Sequence, residues 1–403
     1  MIKRQIKMAA VLLLSIFMLT GCWSHKELTD IAFVSAIGVD RLENGKYLVT
    51  YQIVNSLNIP NGMQLGGGQG PPVTIYQATG RTVQEAFRNG GQEISRRLYF
   101  SHANVLMVGE ETAKEGIYPI LDVLDRHKEF RNTATFVIAR NCKAEDILKV
   151  LTPIDRVPAN KINKTLEYAQ EGSGGRLKIS MSDLISDFTT EGKEAAVGSI
   201  KLIGDPEKGK MQDSLNQTAL SAYLMSSAIG IIKNGKLIGW VDGNKARVIT
   251  WLLKKTNITS LTLDWNHHPD AVDIRTIKTN VDIKPVMKNG KPEMNIDITF
   301  QGQLYEVDVP MKVMDMKVID RLQKAYEKKA EQQIYAGIRY MQQEKCDVFG
   351  FGQMIHQQYP KQWKKMKNHW NEKGFANLKV NVHSNVIISN SELRTDPFHS
   401  NLK

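Results

Sequence analysis

The run Ile31-Ala32-Phe33-Val34-Ser35-Ala36-Ile37-Gly38-Val39-Asp40, then Asn44-Gly45, then Tyr47-Leu48-Val49-Thr50-Tyr51-Gln52-Ile53-Val54, decides how the chain folds. The first run is almost continuously apolar, the pattern of a strand covered on both faces, and Asn-Gly supplies the positive φ that a tight hairpin turn requires. The second run alternates and returns as its partner. Helices further along the chain supply the cover. Thr82 with Glu85 three residues on reads as a capping box, with Val83, Ala86, Phe87 and Ile94 on the apolar side of a helix ending near Arg96-Arg97. Residues 98–109 predict a strand with His102 at its entry, 112–126 a helix and 133–139 another strand. Short helices at 144–150, 162–170 and 182–188 and a strand at 197–203 complete a mixed α/β domain over 31–204, with room for two subdomains. Pro60 to Pro72, with Gly66-Gly67-Gly68, reads as a loop leading into a strand at Val73, not as a phosphate cradle.

The polar stretch 205–214 marks a boundary, and 215–390 reads as a different kind of domain. A hairpin turning at Asn234-Gly235 precedes an amphipathic helix over 244–255. Alternating strands come next at 272–277, 281–286, 294–300 and 303–309, with Asn289-Gly290 turning the middle pair as an antiparallel meander. Val318, Leu322, Ala325, Tyr326, Ile334, Ile338 and Met341 then share one side of a helix over 315–345. A second helix, 354–371, is basic and carries Tyr359, Trp363, Met366 and Trp370; its aromatic side either packs inward or lies on lipid. A last strand over 378–388 and a loose tail over 391–403 end the chain. The fold class is therefore α+β and multi-domain, a mixed α/β N-terminal domain followed by an antiparallel meander packed with long helices.

The first 21 residues stand apart. Lys3, Arg4 and Lys7 precede a short apolar run over 8–19, and Leu19-Thr20-Gly21-Cys22 is a lipobox. Such a run is too short for a comfortable membrane span of ~20 apolar residues and long enough for an export signal. Cleavage is expected before Cys22, whose thiol would carry a diacylglyceryl group and whose amino group would be acylated, leaving 22–30 as a lipidated tether. Two or three acyl chains hold stably where one is marginal. The whole chain carries +11, and with three basic and no acidic residues in the leader the remainder carries +8. That suits a body beside anionic lipid or wall polymer. Export and interleaved charges argue against nucleic acid.

Enzyme chemistry finds no anchor in the sequence. His267-His268-Pro269-Asp270 is the densest metal-type group, yet adjacent histidines on a strand face opposite ways. His102 lacks a companion at a diagnostic spacing. Cys142 and Cys346 have no metal-type spacing and read as buried or incidental thiols, with pairing left open. Arg126, Glu129 and Arg131 either form a local salt-bridged corner or grip a partner's acidic group. No cofactor and no catalytic residue is expected.

Several stretches taken together resemble the Ger(x)C spore-germination lipoproteins, the C subunits of nutrient germinant receptors in endospore-forming bacteria. They are Leu19-Thr20-Gly21-Cys22-Trp23, Glu27 through Ile37-Gly38-Val39-Asp40, Phe100-Ser101-His102 with Val108-Gly109-Glu110-Glu111, Leu121-Asp122 with Arg126, Glu129 and Arg131, and Asp347 with Phe349-Gly350-Phe351-Gly352. Val348 departs from the proline expected after that aspartate. The resemblance implies a non-catalytic, multi-domain α+β body lipid-anchored on the outer face of the spore inner membrane. It implies partnership with an A subunit and a polytopic B subunit, and Arg126, Glu129, Arg131, Asp347, Gly350 and Gly352 are the candidate structural or partner-contact motif. A lipid-tethered solute-binding protein of a transporter is the rival reading, and would have two similar lobes around a cleft. A tethered wall-modifying enzyme would instead show converging carboxylates.

Overall fold

The structure, a computed structural model, describes residues 2, 4–6, 30–59, 70–313 and 315–391. Cys22, the loop around Gly66 and the tail after residue 391 lie outside the described residues. The opening hairpin is present as read: β1 (Ile31–Arg41) and β2 (Tyr47–Val54) are antiparallel, with Ile37 opposite Tyr51 and Val39 opposite Val49. β3 (Val73–Gly80) pairs with β2 and leads into α1 (Val83–Glu93), where the Thr82 side chain accepts from the Glu85 amide at 3.1 Å.

The predicted strand over 98–109 is two pieces, β4 (Arg97–Tyr99) and β5 (Val105–Gly109), separated by a 3-10 turn over Phe100–His102. The predicted helix over 112–126 is likewise two, α2 (Glu110–Glu115) and α3 (Tyr118–Asp125), because Gly116 sits at φ 143°, outside helical space. Next in the chain are β6 (Thr135–Ala139), α4 (Ala144–Leu148), α5 (Pro158–Ser173), β7 (Ile179–Ser180), α6 (Met181–Thr189) and β8 (Ala195–Gly204). β1, β5, β6 and β8 are mutually parallel at the sheet centre. Helices α1, α3 and α6 cover one face through Phe87, Ile120, Leu121 and Leu184; α4 and α5 cover the other through Ile147, Leu148 and Ile162.

The polar stretch 205–214 is not where the first sheet ends. β9 (Ala222–Ser226) pairs with β8, β10 (Ile229–Lys233) adds to β8's antiparallel side, and β11 (Lys236–Val241) closes that edge, giving the order β11-β10-β8-β6-β5-β1-β2-β3. The hairpin read as the start of the second half thus belongs to the first sheet, since β8 still has backbone groups to pair after β6 is in place.

After α7 (Gly243–Leu252) comes the four-stranded sheet β12 (Thr259–Trp265), β13 (His268–Lys288), β14 (Lys291–Val307) and β15 (Lys379–Ser391). The four short strands expected between 272 and 309 are two long ones around Asn289-Gly290, with register shifts at Asp273/Ile274 and Thr276/Lys278. β12, β13 and β14 form the antiparallel meander, but β15 is parallel to β14 because α8 (Met316–Gln343) carries the chain back across the sheet. Trp251, Phe300 and Tyr326 pack edge-on and tilted, with ring centroids 5.1 and 5.3 Å apart, between α7, the sheet and α8. This core also contains Ala196, Ile229, Ile231 and Val241, so the two halves share one hydrophobic interior. The helix expected over 354–371 is broken at Pro360 into α9 (Phe351–Gln358) and α10 (Pro360–Met366), then irregular turns, with Trp363 and Trp370 buried. Its aromatics therefore pack inward, and its lysines stay outside.

Gln52 shows how the first unit is tied together. It is fully buried; its Oε1 accepts from Ser35 Oγ at 2.9 Å and the Ala159 amide at 3.1 Å, and its Nε2 donates to the Leu148 carbonyl at 2.9 Å. Gln52→Leu keeps the volume but strands an amide and a carbonyl, and is expected to lower stability by ~2 kcal/mol in urea unfolding. An unchanged midpoint would mean that these bonds contribute nothing.

Candidate functional site

The most constrained polar group lies where the halves meet. α8 ends at Gln343, Lys345 turns the chain at φ 51°, and Gly350 at φ 74° aims the next amides backward before α9 begins. Asp347, with no exposed surface, fills the resulting cradle. One carboxylate oxygen accepts from the Gly350 and Phe351 amides at 3.0 and 3.2 Å; the other accepts from the Gly352 amide and the Trp370 indole, both at 2.8 Å. Burial raises the carboxyl to about 6, and the same four donors pull against that rise.

The first unit reaches into this cradle through the turn before β8. The Glu194 amide donates to the Asp347 carbonyl at 2.9 Å, and the Gln353 amide donates to the Gly192 carbonyl at 3.2 Å. A Cβ on Gly352 would stand 2.6 Å from the Trp370 indole nitrogen and 2.8 Å from Gly192 O, so only glycine fits. Around the contact, Glu191 accepts from the Trp363 indole at 2.8 Å and from Lys367 at 3.0 Å, Asn371 donates to Glu194 at 2.8 Å, and Lys233 and Lys345 flank Glu372 at 3.3 and 2.9 Å. Burial raises the Glu194 carboxyl, while the Trp363 and Lys367 donors lower Glu191. A cavity of about 240 Å³ opens beside these residues. With both Asp347 oxygens occupied by donors, the site is built to hold two bodies together and not to take a proton from a substrate.

Asp347, Gly350 and Gly352 are thus brought together. Arg126, Glu129 and Arg131 are not: Arg126 pairs with Asp122 at 3.0 Å, Glu129 with Arg97 at 2.7 Å, and Arg131 is exposed. In place of one corner there are two separate pairs, Arg97–Glu129 and Arg126–Asp122, made with the neighbours that β4 and the preceding helical turn provide. His102 packs its ring against Phe33 and Tyr99 at 5.4 and 5.7 Å. His267 sits in the β12–β13 turn at φ 71°, and among the described residues no group of three His, Cys, Asp or Glu could hold a metal. Cys142 and Cys346 are free, with burial pushing the Cys142 thiol up to about 12.

A larger crevice, about 940 Å³, lies at the carboxyl ends of β1, β5 and β6, between Arg41–Asn44, α2 and the loop entering α4. Asp40 forms its floor, accepting from the Ala144 and Glu145 amides at 2.8 and 3.0 Å, and burial raises it to about 6. Glu110 accepts from the Asn141 amide at 2.7 Å and the Trp240 indole at 3.1 Å. These carboxylates too are spent on the fold. Sequence reading missed Glu194 and Trp370 as partners of Asp347, and Gly192 as the partner of Gln353; nothing local in Gly192 or Glu194 announces a contact more than 150 residues away.

Two unlike sheets, sharing one core and clamped by a buried carboxylate, define a multi-domain α+β body whose polar centre is structural. Two family models cover almost all of it: the spore germination protein N-terminal domain matches residues 24–202, and the spore germination B3/GerAC-like C-terminal domain matches 227–392. The chain belongs to the Ger(x)C family of spore germination proteins, the family of germinant receptor C subunits. It is 36% identical to spore germination protein KC of Bacillus subtilis (strain 168) over 403 residues, 99% of each chain. To spore germination protein B3 of the same organism it is 25% identical, over 90% of this chain and 92% of that one. The crystal structure of the GerBC protein superposes with a TM-score of 0.54 at 20% identity, covering 88% of this chain and 96% of that one. The family is not known for catalysis.

Proposed function

We propose that this chain is the lipid-anchored C subunit of a nutrient germinant receptor. In this reading Cys22 carries diacylglycerol and an N-acyl chain, the body sits on the outer face of the spore inner membrane, and it works in assembly and signalling with integral-membrane A and B subunits. The observation that carries the reading is the full-length match to spore germination protein KC, through both family domains. The absence of any helix among the described residues long and apolar enough to span a bilayer is compatible with an acyl anchor. A solute-binding protein would have two similar lobes, and here an eleven-stranded sheet with a parallel centre meets a four-stranded mixed sheet.

Anchoring confines the body to a thin layer, raising its effective concentration for membrane partners without new contacts. Cys22→Ala is therefore expected to deplete the protein from spore inner membranes and to abolish its co-purification with A-type and B-type subunits after cross-linking. Membrane-bound, active Cys22→Ala protein, or recovery with a permease and bound solute, would overturn the proposal.

A further inference from the structure

The first unit is charged oppositely at its two ends. Around the amino ends of β1, β5 and β6 lie the segments 30–33, 94–104, 126–134 and 152–160, held together by Arg97–Glu129 at 2.7 Å, Ser101 Oγ on the Glu129 carbonyl at 3.1 Å, and Asn104 on Asn160 at 2.9 Å. They hold six basic and three acidic residues, with Ile154 the most exposed large apolar side chain of the body at 89%. The basic rim continues across the junction. Segment 360–373 docks beside Glu191 and Glu194, just before the amino end of β8, and contributes five exposed lysines against Glu372. At the carboxyl ends of the same strands the crevice lining reverses the balance, six acidic residues against three basic.

The chain also enters at the basic end. Asp30 and Ile31 open β1 there, and Cys22 lies eight residues earlier, a reach of at most ~30 Å whatever the path between. We infer that this rim is the face that rests on an anionic lipid surface, so that the acidic crevice is presented away from the membrane. The inference rests on the anchor proposed above. Basic side chains are attracted to an anionic leaflet, an effect that falls off within a Debye length. A tether of ~30 Å alone would let the body tumble, and twelve basic against six acidic residues on this end, the turn 190–194 included, would orient it.

The test uses full-length lipoprotein purified from membranes and reconstituted into vesicles of phosphatidylcholine, alone or mixed with phosphatidylglycerol, with amide hydrogen exchange read segment by segment. Exchange over 94–104, 126–134, 152–158 and 360–373 should slow by about fivefold on the anionic vesicles only. The effect should disappear in high salt or with Lys128→Glu, Arg131→Glu, Lys364→Glu and Lys365→Glu combined, while 41–44 and 110–115 stay unchanged. Equal exchange on both vesicles, or protection at the acidic end, overturns the orientation. Mass spectrometry of Cys22 reads the anchor separately: a chain without lipid that still shows the anionic-dependent protection leaves the orientation standing and removes the anchor.

Discussion

Replacing Asp347 by alanine is expected to lower folding stability by ~4 kcal/mol. The substitution leaves the Gly350, Phe351 and Gly352 amides and the Trp370 indole without their acceptor in a site with no exposed surface. A stranded buried donor costs ~1–3 kcal/mol, and partial collapse of the turn recovers some of the sum. Chemical unfolding monitored by tryptophan fluorescence should show a lower midpoint, and Trp370 should report the change directly because its indole is one of the four donors. Asp347→Asn keeps the shape and one acceptor but turns an amide donor toward the remaining N–H groups, so it should fall between wild type and alanine.

The same carboxyl makes stability depend on pH with a definite sign. Burial holds Asp347 at about 6 in the folded chain, against ~4 when unfolded, so the folded state binds its proton more tightly across that interval. Its contribution is fully present below about pH 4 and is lost as pH rises through about 6. Asp40, also raised to about 6 by burial, and Asp187 and Glu194, raised by burial as well, act in the same direction, so the wild-type profile combines them all. Asp347→Asn removes one share: the fall in stability from pH 4 to 6 should be shallower than in wild type. Parallel profiles for the two proteins would show that Asp347 does not titrate in this window.

Legibility in the sequence tracks how local each feature is. The β1–β2 hairpin and α1 were readable because each is written locally, in an apolar run, an Asn-Gly turn and a Thr82–Glu85 box. Asp347 with Gly350 and Gly352 was visible through family resemblance, and its spacing is also the physical signature of a carboxylate folded back onto the amides that succeed it. Its other half was not. Trp370, 23 residues on, and Gly192–Glu194, more than 150 residues before, become neighbours only after α8 has crossed the second sheet and β8 has entered the first. The strand pairing across 205–214 has the same origin: polarity marked a surface loop, whereas the pairing of β9 and β10 with β8 beyond it depends on the edge that β8 offers. Arg126 and Glu129 looked like partners in sequence because no local rule could foresee that β4 would bring Arg97 nearer.

If the junction at Asp347 holds the halves in one arrangement, a lesion on the opposite side of the contact should be nearly as damaging as the loss of the aspartate. Gly192→Ala supplies it. Gly192 has φ +82°, and a Cβ there would stand 2.6 Å from the Gly352 carbonyl carbon, 2.6 Å from the Trp363 ring and 2.8 Å from the Gln353 amide. Left-handed backbone with a side chain costs of order 1–3 kcal/mol, and forcing a methyl group into a filled contact adds ~1–3 kcal/mol more, giving an expected loss of ~3 kcal/mol. Gly45→Ala separates the two contributions, since Gly45 has φ +76° but would place its Cβ in open space. It should show only the backbone part, ~1 kcal/mol. Gly192→Ala should also expose the turn over 190–194 to limited proteolysis, because the Gln353 amide can no longer hold the Gly192 carbonyl at 3.2 Å. Equal effects of the two substitutions, with the turn still protected, would mean that the halves do not depend on this contact. Two such lesions, one on each side, that together cost less than their sum would show that Asp347 and Gly192 act through one shared interface.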